Sequence, residues 1–446
     1  MKIAFIGGGS VQWTPGLVTD MALTETLAGA TLVLHDIDAA ALDLLTHACK
    51  RIVPQVNGKL QITATLNRAE ALRGADFVIL CVSIGGLPAM RNDLEIPERY
   101  GIYQSVGDTV GPGGLARGLR HVPFAVQVAR EMEQLCPHAW LLNLTNPMTT
   151  ICRGVTRATT IRTIGLCHEV DIFRRRHLAS LFNAPEETIT LDVAGINHLP
   201  IILRCSVGGN DGLALLRTRL DKHSPFEFIG QHDPGISDIF KDRLAVKLSL
   251  FQKLGVLFGA GDRHVAEFLP GFLTDANQRG DRYGVILTTI NHREEFARQR
   301  RQRIEQFVAG ATEEAQMSFE QMAPVMAALS GGPACRFIVN IPNQGQIDNL
   351  PREAVVECVA YVDALGVRPI ATGSLPYPAY AVVAPHVARQ ELIVEAALTD
   401  RREPALAALI TDPLATNPEI VEPLLNELLT ANAQFMGPEF MGSPGI

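Results

Sequence analysis

A thiol, an imidazole and a carboxylate follow one another in the segment GLCHEV, residues 165–170. Cys167 and His168 carry donor atoms that suit transition metals, and an imidazole can also transfer a proton near neutral pH. A Cys-His dipeptide cannot surround a metal ion, so a further ligand must come from elsewhere. His198, in GINHLP (195–200), stands between a glycine-containing turn and a proline. Cys167 and His198 predict a half-open site for Mn, Fe, Co or Ni; a histidine that only satisfies its own loop is the alternative.

A second charged segment, FGAGDRHVAEFLP (258–270), contains Asp262, Arg263, His264 and Glu267. Charged runs of this kind usually lie at the surface. Because this one leads into the apolar letters FLPGFL, we expect it to turn toward the core.

A glycine turn at the start of the chain indicates nucleotide binding. The letters KIAFIGGGS predict a strand that ends in Gly7, Gly9 and Ser10. A helical pattern and a second strand ending in Asp36 follow, and Asp38 is predicted as the N-cap of the next helix. The glycines allow a pyrophosphate to approach the backbone, and Asp36 is placed to accept hydrogen bonds from a ribose, which favours NAD over NADP. Gln12 replaces the third glycine of the usual motif, so a plain strand-to-helix turn is the alternative.

Strands and helices alternate through the first part of the chain, in LQITATL, ADFVILCVS, AWLLNLTNP and IRTIGLCHEV. This order predicts an α/β fold with a doubly wound parallel sheet, a Rossmann-like domain over 1–170 and an α+β domain over 171–446. Loops at 90–101 and 104–120 follow the fourth predicted strand, NLTNP (143–147) follows the fifth and CHEV follows the sixth, so we expect these segments to form a substrate surface. The bond before Pro147 is a candidate for a cis peptide.

Composition excludes several classes of protein. The chain has 446 residues and a net charge of −8, and no basic cluster suggests nucleic acid; the run RQRRQR (298–303) is read as a solvated helix face. Eight cysteines without a CxxC pair argue against structural zinc and disulfides and favour a cytoplasmic protein. No apolar run could span a bilayer, and a strand beginning at Lys2 leaves no room for a leader peptide.

Taken in order, GGGSVQWTP, RNDLEIPERYG, GDTVGPGG, NLTNP, CHEV, GINH and VNIPNQGQIDNLP resemble glycoside hydrolase family four. That family has a lactate-dehydrogenase-like fold and depends on NAD and a divalent metal. The resemblance implies a homodimer or homotetramer, and CHEV with GDRH is similar to the α-galacturonidase branch. The implied substrate is an unphosphorylated α-linked galacturonide, such as a pectin-derived oligomer.

The resemblance also implies an unusual reaction. NAD⁺ takes a hydride from C3 of the sugar, a base removes the C2 proton, the group at C1 is eliminated, water adds, and the hydride returns. By the resemblance, Cys167 and His198 hold the metal, with Mn²⁺ as the expected ion, and His168 protonates the leaving group. Arg91, Asn146 and Asn197 contact the sugar, and Asn146 also lies at the cofactor.

Two positions depart from the family pattern. Asp108 stands where Glu is usual, so its role is left open. No tyrosine occupies the place of the C2 base, and His264 is predicted as that base. Arg263 is the candidate partner of the uronate carboxylate, because a guanidinium can bind it with two parallel hydrogen bonds. The alternatives are an α-glucosidase, α-galactosidase or α-glucuronidase of the same family, an NAD-dependent hydroxy-acid dehydrogenase, or a non-catalytic NAD-binding regulator.

Overall fold

The computed structural model describes residues 1–228, 241–318 and 320–436. Within these residues one sheet contains thirteen strands. They are β1 (Lys2–Ile6), β2 (Thr31–His35), β3 (Gln61–Thr65), β4 (Phe77–Leu80), β5 (Trp140–Asn143), β6 (Arg162–Gly165), β7 (Ile189–Ile196), β8 (Leu199–Val207), β9 (Asn210–Asp211), β10 (Leu257–Phe258), β11 (Cys335–Pro342), β12 (Val355–Asp363) and β13 (Gly366–Pro369).

The first six strands are parallel and lie in the order β3-β2-β1-β4-β5-β6. This confirms the predicted Rossmann-like sheet. The strand order reverses between β1 and β4, and open sheets of this type bind ligands at the carboxyl ends of the strands on either side of such a point. The glycine turn after β1 and the loop after β4 therefore lie at the expected ligand edge.

Strands from the second half extend the same sheet with antiparallel pairing. β11 joins β6 through Asn340 and Gly165, and β12, β7, β8 and β10 follow in that order. A side chain at Gly165 would come within 2.9 Å of the Asn340 Cβ, which explains the glycine at this junction. The predicted mixture of helices and strands is confirmed, whereas the domain boundary at residue 170 stays a prediction.

The helices lie on both faces of the sheet. The α-helices are α1 (Thr14–Leu23), α2 (Ala39–Gln55), α3 (Arg68–Leu72), α4 (Gly86–Arg99), α5 (Gly111–Leu135), α6 (Met148–Ala158), α7 (Glu169–Ile172), α8 (Ala179–Phe182), α9 (Gly212–Leu220), α10 (Ala245–Leu254), α11 (Asp262–Val265), α12 (Ile290–Val308), α13 (Met322–Leu329), α14 (Tyr377–Thr399), α15 (Arg402–Ile410) and α16 (Pro418–Asn432). A π-helix (Phe173–Leu178) joins α7 to α8, and short 3₁₀ segments occur at Glu25–Leu27, Glu186–Thr188, Pro225–Phe228, Asp275–Tyr283 and Ala433–Phe435.

Alternation along β1 divides the core into two layers. Ile3 and Phe5 pack on the side that holds Met21 of α1, whereas Ala4 and Ile6 pack on the side that is covered by α5. Because both faces are buried, the strand is apolar at every position between its ends. In the described part of the chain, no helix is long and apolar enough to cross a membrane.

Candidate active site

The glycine turn packs tightly against the neighbouring strands. Gly7 has φ +97°, and a Cβ there would lie 2.0 Å from the carbonyl oxygen of Cys81. The amide of Gly9 donates to Asp36 Oδ2 at 2.9 Å, and Ser10 Oγ accepts from the Trp13 amide at 3.3 Å. This places the predicted cofactor residues together at the start of α1, where backbone amides and the helix dipole favour a pyrophosphate.

Asp36 ends β2 as expected, but its carboxylate is already engaged by the backbone. Besides the Gly9 amide, the amides of Ile37 and Asp38 approach Oδ1 at 2.8 and 3.2 Å. Asp38 caps α2 by accepting from the Ala40 and Ala41 amides, which confirms the predicted N-cap. The contact between Asp36 and a ribose stays a prediction.

Three side chains from distant segments form a cluster that could hold a metal ion. One ligand atom from each of Asp108, His198 and His264 lies within 4.8 Å of the other two. His198 and His264 are buried, and their rings stack with centroids 3.7 Å apart. The segment 258–270 thus turns inward, as its sequence predicts. His264, predicted as a base, stands among the candidate metal ligands.

Thr109 connects two members of this cluster through its hydroxyl group. The Thr109 Oγ1–H donates to Asp108 Oδ1 at 2.7 Å, and Oγ1 lies 2.8 Å from His198 Nδ1. With its proton given to Asp108, the hydroxyl oxygen accepts from Nδ1–H of His198. This assigns the proton to Nδ1 and leaves the Nε2 lone pair of His198 free to bind a metal, the usual arrangement around metal-binding histidines.

Electrostatics keeps the cluster in the protonation state that metal binding requires. Burial, reinforced by His264, lowers the pKa of His198 to about 3, and burial lowers the pKa of His264 to about 3 although Asp108 opposes it. Burial would raise the pKa of Asp108, but His198, His264 and Arg117 together hold it below its usual value. Two neutral imidazoles and one carboxylate are donors that suit Mn²⁺ and related divalent ions. The residues therefore fit a divalent metal.

Cys167 is buried after β6 but is not among these three mutually close donors. Burial, Glu357 and Glu169 raise the pKa of its thiol well above the usual range, so the thiol is protonated in the absence of a cation. Its predicted role as a metal ligand stays a prediction. The sequence pairs His198 with Cys167, whereas the structure groups His198 with Asp108 and His264.

His168 forms an ion pair with Glu320 that the sequence does not reveal. Its Nδ1 contacts Glu320 Oε1, and the side chain of His168 is 25% exposed while that of Glu320 is 5% exposed. Burial alone would lower the pKa of His168, but the charge and hydrogen bond of Glu320 outweigh it and raise the pKa to about 9. A protonated imidazole at the end of β6 is able to act as a general acid.

Three guanidinium groups, of buried Arg117 and of partly buried Arg263 and Arg293, lie around Asp108. Arg263 donates from Nη2 to Thr288 Oγ1 at 2.9 Å, and burial lowers its pKa against the opposing charges of Glu169 and Asp108. Arg293 of α12 and Arg117 of α5 act on the same carboxylate. The run at 298–303 lies in helix α12, as predicted, and Arg293 in the first turn of this helix lies near the site.

The remaining predicted contact residues occupy different environments. Asn146 precedes a cis peptide bond, as expected, and its Nδ2 donates to Asp108 Oδ2 at 3.2 Å. Asn197 is buried beside Glu357, and its amide atoms have no hydrogen-bond partner of ordinary geometry. Arg91 instead forms a surface network with Glu95 and Glu294. The structure brings Asn146 to the cluster; the sugar contacts of Asn197 and Arg91 stay predictions.

A Rossmann-like sheet with a glycine turn and a cluster of one carboxylate and two buried histidines defines a class of nucleotide-binding enzymes with a candidate metal centre. The family model described as family 4 glycosyl hydrolase matches residues 2–181, and the model of the family's C-terminal domain matches residues 193–415. The chain belongs to family 4 of the glycosyl hydrolases.

Relatives of similar length support this membership. An alpha-galacturonidase of Thermoanaerobacterium saccharolyticum is 36% identical over 431 residues, covering 93% of this chain and 92% of the relative. An alpha-galacturonidase of Bacillus subtilis is 35% identical over 444 residues, covering 96% and 97%. An alpha-galactosidase of the same organism is 31% identical over 421 residues, covering 92% and 93%.

Solved structures share the fold. A crystal structure from Bacillus subtilis, described as that of a candidate glucosidase, has a TM-score of 0.88 and 34% identity, covering 96% of this chain and 99% of the other. The structure of a 6-phospho-beta-glucosidase from Thermotoga maritima, described with manganese, NAD⁺ and glucose-6-phosphate, has a TM-score of 0.80 and 24% identity, covering 98% and 99%. The second likeness supports the fold alone.

Proposed function

We propose that the protein is an α-galacturonidase that requires NAD and a divalent metal, with Mn²⁺ as the preferred ion. The observation that carries the proposal is the cluster of partly buried Asp108 with buried His198 and His264, near guanidinium groups and at the ligand edge of a Rossmann-like sheet. Relatives named alpha-galacturonidase support the choice of sugar. A negatively charged glycone suits a site that has the guanidinium group of Arg263 near Asp108.

Asp108, His198 and His264 would hold the metal, and Gly7, Gly9 and Asp36 would hold the nucleotide. When bound, NAD supplies a reversible hydride acceptor for C3 of the sugar, and the metal supplies Lewis-acid stabilisation of negative charge at O2 and O3. Such a reaction differs from ordinary two-carboxylate glycoside hydrolysis.

His168 would deliver the proton to the glycosidic oxygen as the bond to C1 breaks. Its Nδ1 is held by Glu320, so Nε2 is the nitrogen available to the leaving group. The ion pair keeps this imidazole protonated at neutral pH, as a general acid requires. Asn146, fixed by Asp108, would orient a sugar hydroxyl group.

His264 stays the predicted base for removal of the C2 proton. A nitrogen lone pair that binds a metal cannot accept a proton, so the same atom cannot fill both roles. His264 Nδ1 is buried without a hydrogen-bond partner, and Nε2 lies 3.9 Å from Glu169 Oε1. Each ring nitrogen of His264 can therefore serve either as a metal ligand or as the base, but not as both.

The assay measures reducing-sugar release from digalacturonate with Mn²⁺, NAD⁺ and a thiol reductant, while NADH absorbance is followed. Galacturonate release that needs both metal and NAD⁺, without net NADH, supports the proposal. Net NADH without bond cleavage would identify a dehydrogenase instead. Cleavage of α-galactosides, α-glucosides or α-glucuronides in place of galacturonides would agree with the family but contradict the proposed substrate.

Homo-oligomerisation, as a dimer or a tetramer, and a cytoplasmic location are part of the same proposal. Free cysteines throughout the described residues agree with a reducing compartment. Sedimentation analysis of the purified protein tests the oligomer.

A further inference from the structure

Arg293 presents a buried hydrogen-bond donor at the candidate site. It lies in the first turn of α12, and its Nη2 donates to the carbonyl oxygen of Val106 at 3.0 Å. Its Nε atom is buried and has no hydrogen-bond partner within the described residues. Buried donors of this kind are normally satisfied, so this one is available to an acceptor from a ligand.

Two other guanidinium groups and two acids act on Arg293. Burial, Arg263 and Arg117 lower the pKa of Arg293 to about 10, while Asp108 and Glu267 oppose them. A guanidinium with this pKa still carries its full charge at neutral pH. Glu169 acts on Arg263, so the acids of the site are shared among several cations.

Both acids that act on Arg293 already have partners. Glu267 Oε1 accepts from the amides of Val106 and Gly107 at 2.7 and 2.9 Å, and burial raises the pKa of Glu267 to about 7. Asp108 accepts from Thr109 and Asn146. Within the described residues, no carboxylate forms a salt bridge with Arg293, so an added anion would be favoured there.

We propose that Arg293 binds the carboxylate of the uronide and, with Arg263, makes the enzyme prefer acidic over neutral sugars. The inference rests on the proposed function. A guanidinium binds a carboxylate by charge-assisted hydrogen bonds, which a hydroxymethyl group at the same position cannot replace. A neutral sugar would also leave the buried cation uncompensated.

The test compares Arg293→Gln and Arg293→Lys with the wild type on a galacturonide and on the matching α-galactoside. The ratio of the two kcat/KM values should fall about 100-fold in Arg293→Gln, because a charge-assisted bond to a buried partner is lost. Arg293→Lys keeps the charge, so its ratio should lie between those of the wild type and Arg293→Gln. Arg298→Gln, on the exposed part of α12 and paired with Glu295, is the matched control, and its ratio should stay within about twofold.

A second measurement does not depend on turnover. Calorimetry of galacturonate and of galactose binding should show that Arg293→Gln weakens galacturonate binding about 100-fold while the difference between the two sugars disappears. An unchanged preference with a lowered melting temperature would overturn the inference and leave Arg293 as a support for the loop at Val106. If the wild type cleaves no galacturonide, the proposed function fails; if it does and Arg293→Gln keeps the preference, only this inference fails.

Discussion

The imidazole rings of His198 and His264 stack with centroids 3.7 Å apart, although 66 positions (264 − 198) separate them in the sequence. Asp108 completes the group from a third segment. The rings can approach so closely because both are neutral. Burial lowers the pKa of each to about 3, helped by His264 in the case of His198 and by Arg263 and His168 in the case of His264. A divalent cation held by these residues would therefore have no imidazole proton to displace at neutral pH.

Replacing His264 separates its two possible roles. His264→Ala should weaken Mn²⁺ binding by roughly 100-fold or more, because losing a ligand costs at least as much as losing a supporting hydrogen bond. Titration calorimetry measures the affinity, and exposed His47→Ala is the control. Normal Mn²⁺ affinity, with a large fall in kcat and a rate effect of C2-deuterated substrate that is retained or increased, would instead identify His264 as the base.

The Thr109 hydroxyl should control metal affinity without touching the metal. Thr109→Val removes the group that bridges Asp108 and His198, and the affinity for Mn²⁺ should fall about 10- to 100-fold. Thr109→Ser retains the hydroxyl group and should bind Mn²⁺ nearly as the wild type does. Equal affinities for the valine and serine variants would show that the bridge has no such role.

The ion pair between Glu320 and His168 should set the alkaline limit of activity. The general acid must be protonated, so activity is retained below the folded-state pKa of about 9 and is lost as pH rises through it. In Glu320→Gln the charge that raises this pKa is gone and burial lowers it, so the alkaline limb of kcat moves toward lower pH. Glu305→Gln, in an exposed pair with Arg301, should leave the profile in place. An unmoved limb in Glu320→Gln would exclude His168 as the titrating acid.

The glycine turn should tolerate no side chain at Gly7. Gly7→Ala would put a methyl group 2.0 Å from the Cys81 carbonyl oxygen at a positive φ, so the turn must move and NAD binding should be lost in a fluorescence titration with NADH. Gly29 has φ +80° with no atom near its Cβ position. Gly29→Ala should therefore cost only about 1 kcal/mol of stability and leave NADH binding intact. Wild-type NADH affinity in Gly7→Ala would contradict the cofactor assignment.

A buried ion pair beneath the site should dominate stability in the first domain. Arg120 and Asp93 contact each other with both side chains fully buried. Arg120→Met leaves an unpaired buried carboxylate and should lower the free energy of unfolding by roughly 3–5 kcal/mol. Arg99→Gln breaks the exposed pair with Glu427 and should cost less than about 1 kcal/mol. Similar shifts of the urea midpoint for both variants would contradict this difference.

Local patterns were sufficient for the parts of the molecule that local physics controls. The alternation of strands and helices, the glycine turn, Asp38 as an N-cap, the cis bond before Pro147 and the inward turn of the segment at 258–270 all follow from the residues themselves. The run at 298–303 is largely exposed, as its charge predicts.

The sequence analysis did not find two residues to which the proposals assign a role, Glu320 and Arg293, and the reasons differ. Glu320 pairs with a residue 152 positions away, and nothing near it in the chain signals that contact. For Arg293 the sequence does contain a pattern, but the many charged residues around it make that pattern hard to see. Ile290, Ala297 and Ile304 repeat at helical spacing, and Arg293 lies on the same face. The net charge of the segment does not reveal this apolar helix face, whereas its helical periodicity does.

By itself the sequence determined the class of sheet, the edge at which ligands bind and the chemical types available there, because strand period, glycine turns and caps depend on neighbours along the chain. Only the tertiary structure decided which donor atoms lie close to His198. Those of Asp108 and His264 do, and Cys167 is not part of this group. The sheet and helix packing brings the segments at 108, 198 and 264 together. The distances between their side chains depend on that packing, and no local pattern encodes it.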